Sequence, residues 1–482
     1  MSQSRPDVIV VGGGVAGIAA SVRLAGEGAR VLLLETRKKL GGRATSFTDV
    51  RTGETLDNCQ HVALACCVNY LDLCARLGVD HLLRWTEEIH WAEPGGRIST
   101  MRPGPLPAPG HFTGSMLRAT FLDLSEKRAI AGAMLAILRT REASGTFGDW
   151  LRARRQPERA VRRFWEPVVV SACNLGVDRV DASCAIKVFR DGFLAARDAS
   201  RMSVAGVPLV RLYDPAERAI HDAGGEVRLG VSVSRVGETS VTTDAHETIV
   251  AERVICAVPP ERGAKIIDAD LRVRDTRLHA LERFTHSPIL GVHLELDRPV
   301  MDLPHAVLLD QRTQWVFNKD ETPPPPEVAR DGAVIGGDVS GGGTGATSGG
   351  GGASGGQRLH AVVSAADEWM GLTEEEIGAR VLEDVRACFP RAHDASLVRV
   401  RAVKEKRATF AATPEVERIR PTITGETSLL LAGDYTRVGW PATMEGATRS
   451  GYLAAAACLG KDEAWALSPD LAPALLPRML RR

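Results

Sequence analysis

The chain is 482 residues long, more than one core usually needs, and suits two interleaved or sequential domains. Hydrophobic residues make up 44% and charged residues 25%, the balance of a soluble globular protein. Lys plus Arg equals Asp plus Glu, 60 against 60, and no basic stripe carries interleaved aromatics, which excludes a nucleic-acid-binding role.

The opening MSQSRPDVIVVGGG holds an apolar run too short for a signal peptide. No window reaches the roughly 18 uninterrupted apolar residues of a membrane span. A cytosolic protein with reduced thiols is expected. The nine cysteines (59, 66, 67, 74, 173, 184, 256, 388 and 458) include no C-x-x-C pair, so no metal site is expected.

Residues 7–11 (DVIVV) predict a buried strand, followed by a glycine turn and an alanine-rich helix from about Val15 to Glu27. Residues 30–35 (RVLLLE) complete a βαβ start, the unit of a parallel doubly wound sheet. Residues 56–67, LDNCQHVALACC, crowd an acid, two amides, three cysteines and a histidine into twelve positions. A metal site, a buried turn and an active-site loop all look like this. Residues 116–140 predict a helix capped by Ser125, with Ala129, Ile130, Ala133, Met134, Ile137 and Leu138 on one face. Thr146 with Asp149 resembles a capping box leading into Trp150 and Leu151.

Strands are expected at 226–236 (EVRLGVSVSRV) and 249–258 (IVAERVICAV), the second stopped by Pro259 and Pro260. Residues 284–298 and 305–317 alternate like strands of an antiparallel sheet. The run 341–356, GGGTGATSGGGGASGG, cannot bury a core and predicts a flexible surface loop. A last strand, LLLAGD (429–434), leads to a glycine-punctuated helix from about Ala442 to Leu459. The tail 471–482, LAPALLPRMLRR, is apolar and ends basic.

Gly12-Gly13-Gly14-Val15-Ala16-Gly17 is a G-x-G-x-x-G turn placed after a strand and before a helix. Gly12 permits the tight turn, Gly14 lets a pyrophosphate approach the backbone, and Gly17 lets helix and strand pack closely. The helix N-terminus offers free N–H groups and its positive dipole end. Glu35 closes the second strand, 18 residues after Gly17, where a carboxylate can accept from adenosine ribose hydroxyls. A dinucleotide site follows.

Beyond Glu35, through Thr36 and Arg37, the chain reads E-x5-GGR with Gly41, Gly42 and Arg43. This resembles the extended fingerprint of FAD enzymes of the amine oxidase and carotenoid desaturase superfamily. There the paired glycines and the arginine sit against the FAD pyrophosphate. An arginine suits two phosphate oxygens. VRLGVSVSRV before VICAVPP resembles the segment whose backbone valine, here Val233, holds the adenine. LLLAGDYTRVGWPATMEGATRSG resembles the C-terminal FAD motif. That likeness implies Gly433 and Asp434 at the ribityl chain, with Met444, Glu445 and Gly446 along the flavin.

Two more segments, DNCQH (57–61) and FWEPVVVSACN (164–174), resemble the hydroxysqualene dehydroxylase family, also called squalene-associated FAD-dependent desaturases. The resemblance implies reduction of a hydroxysqualene to squalene for hopanoid synthesis, with hydride from reduced FAD and a hydrophobic isoprenoid substrate. It leaves the reductant for FAD unnamed and allows a peripheral contact with the inner face of the cell membrane. A proton donor to the leaving hydroxyl is required. His61, Asp57 and Glu166 are the candidates, His61 first because imidazole protonates near neutral pH. His61 read blandly is a hydrogen-bonded residue of a buried turn. Glu166 read blandly caps, or pairs with Arg159, Arg162 or Arg163. Asn58, Cys59, Gln60, Trp165, Asn174 and Trp440 are expected to face flavin or substrate. Cys59 stands where the family has Gly, and a Cys adopts positive φ at a cost. Alternatives are a carotenoid or phytoene desaturase-like enzyme, an amine oxidase, or a prenyl-binding chaperone without redox chemistry.

The fold class expected is α/β: a Rossmann-like FAD-binding domain (1–85, 205–262 and 425–470) interleaved with an α+β substrate-binding domain (86–204 and 263–424).

Overall fold

The computed structural model describes residues 5–320 and 355–480. The glycine-rich run expected as a loop therefore lies outside the described residues, except for Gly355 and Gly356.

Val8–Val11 and Val31–Glu35 are buried along their whole length, so they read as continuous apolar runs rather than alternating ones. They lie at the centre of a five-stranded parallel sheet ordered Glu226–Leu229, Val31–Glu35, Val8–Val11, Arg253–Cys256 and Leu430–Leu431. Helix Val15–Gly26 packs against helix Met444–Leu459. They approach so closely that a Cβ on Gly451 would lie 2.2 Å from the Ala16 carbonyl oxygen. Segments far apart in the chain thus build one layer of sheet and helices.

The runs 226–236 and 249–258, each expected as one strand, are both divided. Their outer parts, Glu226–Leu229 and Arg253–Cys256, join the parallel sheet. Val233–Val236 and Thr248–Val250 instead flank Ser240–Thr243 in a small antiparallel sheet. Gly230, at φ +73°, turns the chain between the first two.

The second large sheet has seven strands. Their order is Leu397–Phe410, His286–Leu296, Gln357–Ser364, Trp315–Asn318, His305–Leu308, Ile89–Ala92 and Ile98–Met101. Pairing is antiparallel except between His305–Leu308 and Ile89–Ala92. The run 305–317 is two strands, with Asp310 at φ +57° in the turn. Helix Glu374–Cys388 covers one face of this sheet.

A helical block covers the other side. The helix expected across 116–140 is two helices, Thr113–Arg118 and Leu124–Arg139. Asp123, not Ser125, caps the second, because it has a glutamate three residues on. Its Oδ1 accepts from Glu126 N at 2.9 Å, and Glu126 Oε2 accepts from Asp123 N at 2.8 Å. Ser125 donates to Asp123 instead. Ile130, Ala133, Ile137 and Leu138 are buried as the spacing requires, while Ala129 and Met134 are half-buried. Thr146 caps Phe147–Ala153 through Asp149 N, as expected.

Candidate active site

One cavity of about 1290 Å³ runs from the end of the parallel sheet to the helical block. At the nucleotide end, Gly12 sits at φ +109° and a Cβ there would lie 2.8 Å from Ala257 O. A Cβ on Gly17 would lie 1.8 Å from Gly12 O, so helix and strand meet there with no room for a methyl. Gly14 differs: the only protein atom near its Cβ position is Gly42 Cα, at 3.9 Å. Its remaining open side faces the cavity, and no side chain caps the helix that starts at Val15. That is an anion cradle with backbone N–H groups available.

Glu35 Oε2 accepts from Gly13 N at 2.6 Å and Oε1 from Arg37 N at 2.7 Å. Each oxygen keeps a lone pair for a ribose hydroxyl. Thr36, Arg37, Gly41, Gly42, Val15, Ala16 and Val233 also line the cavity. Arg43 Nη2 lies 2.6 Å from Asp434 Oδ1, and its Nη1 donates to Ala408 O at 3.0 Å. Arg43 and Asp434 thus line the cavity as an ion pair, chemically suited to a diphosphate and a polyol. Gly433, at φ +151°, holds the turn before Asp434. The cradle, the acid at the strand end and this pair fit FAD.

At the other end, Thr443 caps the helix Met444–Leu459 through Gly446 N, and Met444 lines the cavity. Glu445 also borders the cavity, but its carboxylate accepts from Asn69 N, Asn69 Nδ2, Tyr70 N and Arg449 Nε at 2.7–3.0 Å. It joins the start of helix Val68–Arg76 to the C-terminal helix. Trp440 forms cavity wall, with Lys187 Nζ 4.6 Å from its ring centre.

The 57–61 loop separates into different jobs. Asp57 Oδ1 accepts from Ser46 Oγ (2.7 Å) and Leu209 N (2.9 Å), and the side chain lies outside the cavity lining. This binds two segments together and leaves no proton-donor role. Asn58 Nδ2 donates to Arg43 O at 2.7 Å, fixing the loop to the GGR turn. Cys59 is absent from the positive-φ residues, so the glycine-to-cysteine departure costs no backbone strain. It packs against Phe317 and Val362, and burial pushes its thiol up to about 12. Gln60 Oε1 accepts from Lys319 Nζ at 3.0 Å.

His61 Nδ1 lies 3.1 Å from Cys59 O, which fixes a proton on that nitrogen. Burial pulls the imidazole below its usual range. Neutral, with Nδ1–H engaged, it presents Nε2 as an acceptor, opposite in polarity to the acid expected.

Three expected site residues in the helical block divide likewise. Glu166 lies outside this cavity: it borders a second one of about 780 Å³ with Arg162, Asp310 and Asp384, and its Oε2 accepts from Val177 N at 2.9 Å. Arg159, Arg162 and Arg163 pair elsewhere, with Glu126, Asp310 and Glu93. Trp165 is fully buried, in edge-to-face contact with Phe147, Phe164 and Phe189, with its Nε1 on Gln156. It is core, because the helix turns Phe164 to the cavity in its place. Asn174 does line the cavity. At φ +54° it ends helix Glu166–Cys173, donating to Ser287 O and Thr409 Oγ1 and accepting from Ala365 N at 2.7 Å.

The space beyond the flavin groove is walled by Met101, Ile130, Leu138, Phe164, Phe189 and Phe193. Leu117, Leu124 and Leu135 line it yet are 60%, 64% and 40% exposed, which marks its mouth. Two ionisable features here escaped the sequence reading. Lys187 and Asp191 form a 2.8 Å ion pair on the wall, and their i,i+4 spacing within a helical run was the available signal. Glu405 lies in a strand among five other charged residues at 399–407, where nothing marks it out.

Comparison with known proteins matches this frame. A family model described as flavin containing amine oxidoreductase matches residues 15–459. The chain is 25% identical to the zeta-carotene desaturase of Synechocystis sp. (strain ATCC 27184 / PCC 6803 / Kazusa), over 94% of this chain and 97% of that one. It is also 25% identical to the hydroxysqualene dehydroxylase of Sinorhizobium fredii (strain NBRC 101917 / NGR234), over 93% and 97%. An oxidoreductase from Methanosarcina mazei has the same fold, with TM-score 0.68 and 16% identity over 92% of this chain and 98% of that one. So does cyclohexylamine oxidase from Brevibacterium oxydans IH-35A, with TM-score 0.60 and 16% identity over 95% and 99%. The chain belongs to the flavin-containing amine oxidoreductase family, and is an oxidoreductase whose cofactor is FAD.

Proposed function

We propose that this enzyme exchanges hydride between FAD and an isoprenoid chain, and that its reaction is the reductive dehydroxylation of hydroxysqualene to squalene. The carrying observation is the cavity: between the flavin groove at Asn58–Ala63 and the leucine-lined mouth its lining is mainly apolar, with the Lys187–Asp191 pair set into the wall. A long hydrocarbon can lie there with one carbon at the redox centre. The hydroxysqualene dehydroxylase relative and the 57–61 and 164–174 segments supply the substrate.

FAD, when bound, supplies the two-electron chemistry. The protein holds it through the glycine turn, Glu35, Arg43 and Asp434, and excludes water from the substrate through its aromatic and aliphatic walls. Incubating the purified protein with reduced FAD and hydroxysqualene should give squalene by mass. A folded, FAD-loaded sample that makes none would overturn the assignment.

His61 favours a second reading. An acceptor at Nε2 suits oxidation of a polyene, in which a proton must leave the chain after hydride. Oxidised enzyme given zeta-carotene or phytoene separates the two directions: a new absorbance band to longer wavelength supports desaturation.

Such a substrate resides in membrane. Among the described residues no helix is long and apolar enough to cross one. The mouth leucines stand beside Lys127 and Arg128, and helix Leu475–Leu480 rests on Leu124–Arg139 with Leu475, Leu476 and Met479 exposed. This rim suits the interface of an anionic bilayer. Leu117→Asp with Leu124→Asp should abolish flotation with anionic liposomes while FAD content stays unchanged; undiminished flotation refutes the rim.

A further inference from the structure

Five carboxylates line the large cavity, and four are committed. Glu35 accepts from Gly13 and Arg37, and Asp191 pairs with Lys187 and Arg190. Asp434 pairs with Arg43, and Glu445 takes four donors. Glu405 alone has no hydrogen bond or ion pair among the described residues.

Its position is built, not incidental. Glu405 faces Ile289 across the sheet, and the next pair is Ser287 with Thr409, so strand Leu397–Phe410 bulges between them. The bulge leaves Lys406 and Arg407 exposed and sets Glu405, Ala408 and Thr409 on the cavity wall. It also turns Ala408 O onto Arg43. The charge of Glu405 is felt at Arg43, Cys59 and His61, which places it where the GGR turn, the 57–61 loop and the substrate sheet converge.

Glu405 is half-buried, and Arg43, the cation that feels its charge, is already paired with Asp434, so the carboxylate is left to face what occupies the cavity. We infer that Glu405 is the counter-charge for the electron-deficient allylic carbon formed when the isoprenoid chain exchanges hydride, an inference that rests on the isoprenoid reading. In the reductive direction the C–O bond breaks and the hydroxyl leaves with a solvent proton as water. The carbon then gains a hydride, two electrons drawn from the reduced cofactor pool. In the oxidative direction the chain gives a hydride to the oxidised cofactor pool, then a proton to a base, and a C=C bond forms. Positive charge rests on the chain midway in both, and Glu405 forms and breaks no bond.

The test is binding, not turnover. An isoprenoid tertiary amine, cationic at pH 7, and its neutral carbon isostere are titrated calorimetrically into FAD-loaded wild type, Glu405→Gln and Glu405→Asp. Wild type should prefer the cation by about 10-fold or more, a modest share of a close charge pair in partly screened surroundings. Glu405→Gln should lose that preference with its affinity for the neutral isostere unchanged, and Glu405→Asp should keep most of it. An equal preference in wild type and Glu405→Gln overturns the role of Glu405 while leaving the substrate class standing. Failure of both analogues to bind wild type overturns the isoprenoid reading itself.

Discussion

Replacing Gly17 and Gly14 by alanine, one at a time, separates what helix packing demands from what a pyrophosphate demands. At Gly17 the added Cβ would lie 1.8 Å from Gly12 O, where real contacts stay above 3.0 Å, so helix and strand must part by about 1.2 Å. The obstacle is backbone and cannot rotate away. Both elements are central, so we expect a loss near the upper end of overpacking, about 3 kcal/mol. At Gly14 the nearest atom is 3.9 Å away and φ is −75°, ordinary for alanine. Stability without FAD should stay within about 0.5 kcal/mol of wild type. The methyl would nevertheless occupy the open side, and FAD affinity should fall about 100-fold, or about 2.7 kcal/mol. Urea unfolding of FAD-free protein, followed by tryptophan fluorescence, and FAD titration of each variant give both axes. Gly14→Ala protein that binds FAD like wild type, or that unfolds early without FAD, would refute the cradle.

Burial pulls His111 and His305 from 6.5 down to about 4. The unfolded chain therefore binds more protons between those values, and stability falls as pH drops through that window, by about 2 kcal/mol per histidine at pH 5. Denaturant midpoints at pH 7.5 and 5 measure it, and His305→Gln should remove about one proton from the slope. Asn174→Ala strands Ser287 O and Ala365 N and places alanine at φ +54°, for about 3 kcal/mol in unfolding free energy. Glu445→Ala leaves the first turn of Val68–Arg76 without its acceptor and Arg449 with Asp470 as its remaining partner. It should cost about 3 kcal/mol in FAD-free protein. Lost FAD affinity at full stability would return Glu445 to the cofactor.

Local signals carried the nucleotide half well. A strand, a glycine turn, a helix and a terminal acid sit within 35 residues, so Gly12 to Glu35 could be read in order. The separated strands 226–236 and 249–258 were recognised but misjudged as single units, because β-pattern does not reveal which of two sheets a residue joins. Ser125 lost its cap to Asp123 through a competition between neighbours that a single-residue preference does not capture.

The substrate half depended on contacts between distant segments. Asp57, Glu166 and Trp165 all have plausible active-site chemistry, and each is turned to a structural task by a partner 9 to 152 residues away. Glu405 has the opposite history: an unremarkable charge in a charged strand is lifted onto the wall by a bulge set against Ile289. Sequence alone determined the class of cofactor, because phosphate binding needs glycines and an acid at fixed local spacing. Only the tertiary structure decided which ionisable groups face the substrate, because that depends on which partners consume their hydrogen bonds first.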